Sequence, residues 1–443
     1  MNLLGRHHPI VFANETHGFV LGGTTVDENA NNDFFMYDEA INEWVDLTFT
    51  SSGFPGTPRS FGYGVVRNQA LSSKAYLGFG ASATGENLND FWEFDMETHE
   101  WTQLASLPGL GRRHPSMVPV YLKDSDAWEI HVGLGDGYDA DNQFSNFNDY
   151  WVYDVTTDMW TEVPNFPSSK RHHPFFFGIG PTSYVGLGHS DGREPYIERD
   201  FFSYDTKNNE WRQEPDFASY LLLESQERAL VTTKARVAGT EFSIDLPLVG
   251  ANSSELRGSI GFILSGDGDD HGSMSQGEFH AFYPEDAPSI ADTSASPSRN
   301  VGGEAWRRQL PPHPGGSRWA PGSFVMRGTA SVYFCCGYDR ATGILHDDVW
   351  MMDLSLLFVK SSSENDSITD EADTGEGNES DNSTTSNASD IDSNNGNGNY
   401  FDNAMGNELQ NGAASSSRPS LTLCHFVIGF FMVATMLHDF WQW

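Results

Sequence analysis

The stretch DYWVYDVTTDMW, residues 149–160, decides how this chain is read. It has a short run of aromatic and β-branched residues, a polar turn, and a second run that opens on tryptophan, the pattern of two paired strands. Three other stretches share its form: DFFMYDEAINEW (33–44), DFWEFDMETHEW (90–101) and DFFSYDTKNNEW (200–211). In each, an aromatic residue followed by aspartate stands at the same distance before the tryptophan. The unit is therefore a repeat, and its period governs the fold more than any local propensity does.

Upstream of each copy a short apolar strand closes on glycine: GFVLGG (18–23), AYLGFG (75–80), IHVGLG (130–135) and SYVGLG (183–188). Two diverged copies follow. GFILSGDG (261–268) leads to GEFHAFYPED (277–286) and then EAWRRQ (304–309), and VYFCCGYD (332–339) leads to DDVWMMDLS (347–355). Each of these six units predicts four strands, and a four-stranded sheet recurring about every 50 residues is the signature of propeller blades. The glycines allow close backbone approach in the crowded inner strands, while aromatics fill the space between sheets.

The set GLG…NDYWVYDVTTDMWTEVPNFPSSKRHHP resembles the kelch repeat, especially that of galactose-oxidase-like propellers of surface and secreted proteins, over about residues 5–356. The resemblance implies an all-β, six-bladed propeller at 1–358 with an insertion-bearing fifth blade at about 216–310. It implies no reaction, because propellers host many functions. The copper radical site of galactose oxidase needs a cysteine cross-linked to tyrosine. Here Cys335 and Cys336 lie in a glycine-type strand and Cys424 lies in the tail, so copper oxidase activity is excluded. The adjacent cysteines read as small apolar residues of a buried strand. There is no nucleophile elbow and no phosphate loop.

The sequence departs from the repeat in two places. Residues 216–260 are longer than a normal connection and lack an Arg-His-Pro start, and the last unit has no fourth, tryptophan-led strand. The sixth blade is accordingly expected to be incomplete, or completed by residues 1–4 or by LLFVK (356–360). Residues upstream of Met1, a signal peptide among them, are expected to be missing from this sequence.

With 62 acidic against 25 basic residues, the net charge of −37 repels nucleic acid and anionic headgroups. Residues 359–420, rich in Ser, Asn, Asp, Gly and Glu, cannot bury enough apolar surface to fold and read as a disordered stalk. The apolar run at 421–437, within a terminal segment 421–443, reads as a membrane anchor, either a single-pass helix or a GPI-attachment signal. Glycosylation sequons stand at Asn14, Asn252, Asn365, Asn378, Asn382 and Asn387. Together these features predict a glycoprotein at the cell surface.

Two runs of RHHP, at 6–9 and 171–174, and RRHP at 112–115 supply the candidate site. Aligned on the repeat, Arg6, Arg59, Arg112, Arg171 and Arg318 share one position, with His8, His114 and His173 two residues later. Recurrence at the start of a blade argues for propeller geometry over a zinc site made by any one His-His pair. The arginines should ring one mouth of the central channel. There they either meet carbonyls and acids such as Asp136 and Asp191, or hold an acidic glycan with the three histidines beside them. A second candidate, DGDDHGSMSQGE (267–278), has the spacing of an EF-hand calcium loop, with Asp267, Asp269, His271 and Glu278 as ligands; a solvated acidic loop is the alternative.

The functional expectation is a monomeric, non-catalytic binding module for a glycan or protein. A carbohydrate-active enzyme of the mutarotase or epimerase kind is the first alternative, marked by a carboxylate beside an arginine at the mouth. An intracellular kelch adaptor is the second.

Overall fold

The computed structural model describes residues 3–353 except 67–72, 192–195, 218, 225–226, 233, 247–257, 269–278, 285–304, 308–315 and 327–330. Within these limits the chain is a six-bladed all-β propeller. The first blade runs Ile10–Ala13, His17–Leu21, Phe34–Asp38 and Glu43–Asp46, each strand antiparallel to the next. Blades two to four repeat this order from Tyr63–Val66, Ser116–Leu122 and Phe175–Ile179. The fifth comprises Thr240–Leu246, Gly258–Leu264, Phe279–Phe282 and Trp306–Arg307. The sixth has three strands among the described residues: Gly322–Met326, Ser331–Cys335 and Val349–Asp353. The first strands pack against one another in sequence, and that of the sixth blade packs on that of the first, so the ring closes.

The repeat residues now have physical causes. Aromatics of facing sheets meet edge to face, as Phe91 does with Tyr153 and Trp160, and bury the apolar area that holds neighbouring blades together. In blades two to five the fourth-strand tryptophan hooks its blade to the one before. The indole N–H groups of Trp101, Trp160, Trp211 and Trp306 donate to the carbonyls of Ser52, Ala105, Pro164 and Pro215, all in the preceding connection.

The closing glycine of each second strand sits at positive φ, between 84° and 94° at Gly23, Gly80, Gly135, Gly188, Gly266 and Gly337. A side chain there would strike the backbone or side chain where that blade begins. Each of these glycines donates its N–H to the carbonyl of the next blade's arginine: Gly23 to Arg59, Gly80 to Arg112, Gly135 to Arg171, Gly188 to Arg236, Gly266 to Arg318 and Gly337 to Arg6. The sixth of these bonds joins the last blade to the first.

Closure therefore uses main-chain bonds and side-by-side packing. Leu3 is buried with Phe324, Met326 and Cys335 of the sixth blade, and the Arg6 N–H donates to the His346 carbonyl. Residues 356–360 lie outside the described residues. The irregular segment after the fourth blade contains an extra hairpin, Ser219–Glu224 with Glu227–Thr232, which explains its length. Cys335 and Cys336 are buried free thiols, as two small apolar residues would be.

Candidate functional site

The mouth is built where each blade begins. There the residue after the repeat arginine pairs with the loop leaving the second strand: His7 with Thr24, Ser60 with Ala81, Arg113 with Asp136, His172 with His189, Val237 with Asp267 and Trp319 with Tyr338. Blade starts and second-to-third-strand loops therefore share one face, as the sequence implied.

The repeat arginines do not line the mouth. Arg6, Arg59, Arg112, Arg171 and Arg318 are at most 1% exposed, and they lie within the blades. Their partners are not Asp136 and Asp191 but the aspartates that open the defining stretches. Arg6 grips Asp33 at 2.7 and 2.8 Å, Arg59 grips Asp90 at 2.8 and 2.6 Å, and Arg112 grips Asp149 at 2.8 and 2.6 Å. Arg171 and Arg318 hold Asp200 and Asp348 in the same bidentate way. Each guanidinium also donates to a carbonyl after the second strand and lies over a phenylalanine ring, as Arg112 does with Leu134 and Phe147. Asp136 is bound instead by Arg113 at 2.5 Å, and Asp191 accepts from the Asn146 N–H.

A sixth arginine completes the set. Arg236 is buried, donates to the Ser265 carbonyl, and lies 5.6 Å from the Phe217 ring centre. Its run KARVAG lacks the histidine and proline that marked the other starts, so sequence alignment missed it. The signal that could have found it is the Ala238-Gly239 pair, which matches Phe61-Gly62 two and three residues after Arg59.

The residues two after each arginine form a ring on the axis. His8, Phe61, His114, His173, Ala238 and Ala320 all have φ between 47° and 66°. That left-handed turn is costly for residues with a side chain, and it is held by backbone bonds along the ring. His8 donates to Ala320, Ala320 to Ala238, His114 to Phe61 and His173 to His114. The turn aims each side chain at the centre, so repeat symmetry brings together three histidines that are far apart in sequence.

At the axis, His8 Nε2 is 2.8 Å from His173 Nε2, and the His114 and His173 rings stack at 3.6 Å. His114 Nδ1 lies 2.7 Å from Asp136 Oδ1. Asp136 is held ionised because His114 and Arg113 outweigh the effect of its burial, so the ring nitrogen must be the donor. His7 Nδ1 approaches His8 Nδ1 at 2.6 Å, and His172 Nδ1 donates to Asn146 Oδ1 at 2.9 Å.

Burial above all pushes these imidazoles down. His7 falls to about 3, while His172 and His189 fall to about 4. His8 and His173 drop well below the ordinary value, and His114 is lowered despite Asp136. At neutral pH the cluster is therefore a set of uncharged imidazoles.

Two ion pairs flank it, Arg113 with Asp136 and Arg340 with Asp267 at 2.6 Å. Asp267, one of the four candidate calcium ligands, is thus buried against Arg340, whereas Asp269, His271 and Glu278 lie outside the described residues. Asn14 caps the turn between the first two strands, accepting the Thr16 and His17 N–H groups. Asn252, Asn365, Asn378, Asn382 and Asn387, and all of residues 359–443, also lie outside. No helix among the described residues is long and apolar enough to cross a membrane.

The loops around the mouth carry apolar side chains that sequence reasoning did not single out. Val26, Tyr138, Phe144, Tyr196 and Ile344 are 84%, 48%, 45%, 40% and 51% exposed, and they stand on the second-to-third-strand loops of four different blades. Arg113 lies over Phe144, and Arg340 over Trp319, each at 4.7 Å.

Comparison with known proteins agrees with this architecture. The profile of the Kelch motif matches residues 78–108, which run from the end of one second strand through the tryptophan-led fourth. Kelch domain-containing protein 1 of Homo sapiens is similar, 24% identical over 140 residues. That similarity covers 32% of this chain and 32% of the human protein.

Proposed function

The chain is a kelch-repeat β-propeller, and from that premise we propose that it is a non-catalytic module binding a protein partner across the rim of its mouth. Kelch propellers are typically protein-binding modules. The observation that carries the reading is the exposed Tyr138–Phe144 pair, whose rings meet at 5.5 Å on a second-to-third-strand loop beside Arg113, with Val26, Tyr196 and Ile344 exposed on the corresponding loops of three other blades. Single exposed apolar residues are ordinary, but adjoining exposed aromatics beside a cation mark an interaction surface. Tyrosine and arginine, both present here, dominate the energetics of such surfaces.

The double variant Tyr138→Ser with Phe144→Ser is expected to lose at least tenfold in partner affinity while its melting temperature is unchanged. The measurement is quantitative comparison of the proteins retained by wild type and variant under identical conditions, with an acidic-glycan array run beside it. Proteins held equally by both forms would remove the rim from the reading, and glycan binding by the wild type alone would move the ligand to a sugar.

The reading includes membrane display through the apolar run at 421–437, which rests on its sequence. Release by GPI-specific phospholipase selects the lipid anchor. Recovery from membranes with Trp443 present selects a helix, and a soluble native protein with an intact tail removes both.

One observation favours the enzyme alternative. Arg113 beside Asp136, with His114 bonded to the same carboxylate, is the carboxylate-arginine pair expected of a mutarotase or epimerase. Asp136 is locked by two partners and kept ionised, so proton transfer would fall to the neutral imidazoles. Polarimetry on aldoses separates the readings, because catalysed anomer exchange lost in His114→Ala would establish chemistry.

A further inference from the structure

We propose that His8, His114 and His173 bind one divalent transition-metal ion of the zinc type on the propeller axis. One ligand nitrogen from each of the three buried histidines lies within 4.8 Å of the others. Nitrogens bound to one zinc at about 2.0–2.1 Å stand roughly 3.3 Å apart, so shifts on the order of an ångström complete the site. The His8 and His173 nitrogens at 2.8 Å would move slightly apart, and the His114 and His173 rings would rotate out of their stack.

Further features point to a cation. His114 Nε2 is buried without a hydrogen-bond partner, and burying an unsatisfied polar atom costs about 1–3 kcal/mol. Asp136 fixes the His114 proton on Nδ1, leaving the Nε2 lone pair free, and it is itself held by Arg113. Carboxylate-to-imidazole bonding of this kind orients histidine ligands and raises their basicity. Three imidazoles suit zinc, copper and nickel, and they leave a further coordination position open. The inference does not depend on the partner-binding reading.

The repeat supplies variants that keep the fold. Ala238 and Ala320 hold the same ring position at the same φ, and Phe61 holds it in the second blade. His8→Ala and His173→Ala therefore install a residue this backbone already accepts. Full-length, tag-free protein stripped with a chelator is titrated with Zn2+ by calorimetry and with Co2+ by visible absorption.

The expected result is one equivalent bound, with a d–d spectrum of low-coordinate nitrogen ligation and a higher melting temperature on zinc addition. Binding should fall below detection in His8→Ala/His173→Ala, and it should weaken about 10–100-fold in Asp136→Asn. His17→Ala, at the turn between the first two strands of the first blade, should bind as wild type. Absence of stoichiometric binding, or an equivalent that survives the double alanine variant, overturns the proposal.

Discussion

Arg59→Met is expected to lower the unfolding free energy by about 3–5 kcal/mol, because it leaves the largely buried Asp90 carboxylate without its cation. Arg59 is fully buried, grips Asp90 through both terminal nitrogens, and satisfies the carbonyls of Thr57 and Phe79. Methionine fills the volume and satisfies none of these groups. The denaturant midpoint should fall at unchanged slope, which assigns the change to stability alone. Arg59→Met combined with Asp90→Leu should recover most of the loss, since replacing both charged partners by apolar groups is often nearly neutral. A loss below about 1 kcal/mol in the single variant would deny the arginine its architectural role.

The same pair has a defined acid response. Burial alone would raise the Asp90 carboxyl, yet the hydrogen bonds and charge of Arg59 bring it below the usual range; Asp149 and Asp348 behave likewise. A carboxyl lowered in the folded state contributes stability that is complete above its unfolded value of about 4. The contribution is lost as the pH falls through the folded value. The stability difference between wild type and the Arg59→Met/Asp90→Leu chain should hold constant from pH 7 to about 5, then shift against the wild type below about 4.

Gly80→Ala is expected to cost at least about 4 kcal/mol, or to prevent folding, because it combines backbone strain with a collision. Gly80 lies at φ 93°, and a β-carbon there would come 2.3 Å from the Ser60 carbonyl oxygen and 2.7 Å from the Gly62 nitrogen. Both obstacles are main chain and neither can step aside. Gly85 separates the two terms, since it has φ 84° with nothing within 4 Å of an added β-carbon. Gly85→Ala should therefore show only the conformational cost, about 1–2 kcal/mol. Urea denaturation of the two variants side by side tests the pair, and equal losses would remove the collision from the account.

Blade number and strand order were legible because aromatic strands, turns and tryptophans recur at fixed spacing, a signal that survives divergence of individual residues. Less was legible in the side-chain partners. The aspartate opening each defining stretch reads locally as a turn residue, and only the folded blade brings Asp33 or Asp149 beside an arginine from the blade's start. Arg236 was hidden because the histidine and proline used as markers are absent from its unit. The histidines give the sharpest lesson. Their recurrence counted against a metal site, as it would in an extended chain. In a closed ring, equal repeat positions meet on the axis, so recurrence is what assembles a three-ligand cluster.

The six glycine-to-arginine bonds that link the blades use only peptide N–H and C=O groups, and the axial turns are likewise tied through main chain. Side-chain identity at the axial positions is thereby uncoupled from assembly of the ring, and histidine, phenylalanine and alanine already alternate there. Substitution at the centre of this molecule therefore meets less structural resistance than substitution of its buried arginines and positive-φ glycines. A lineage can exchange one axial chemistry for another by single steps, with each intermediate still a folded protein on which selection can act.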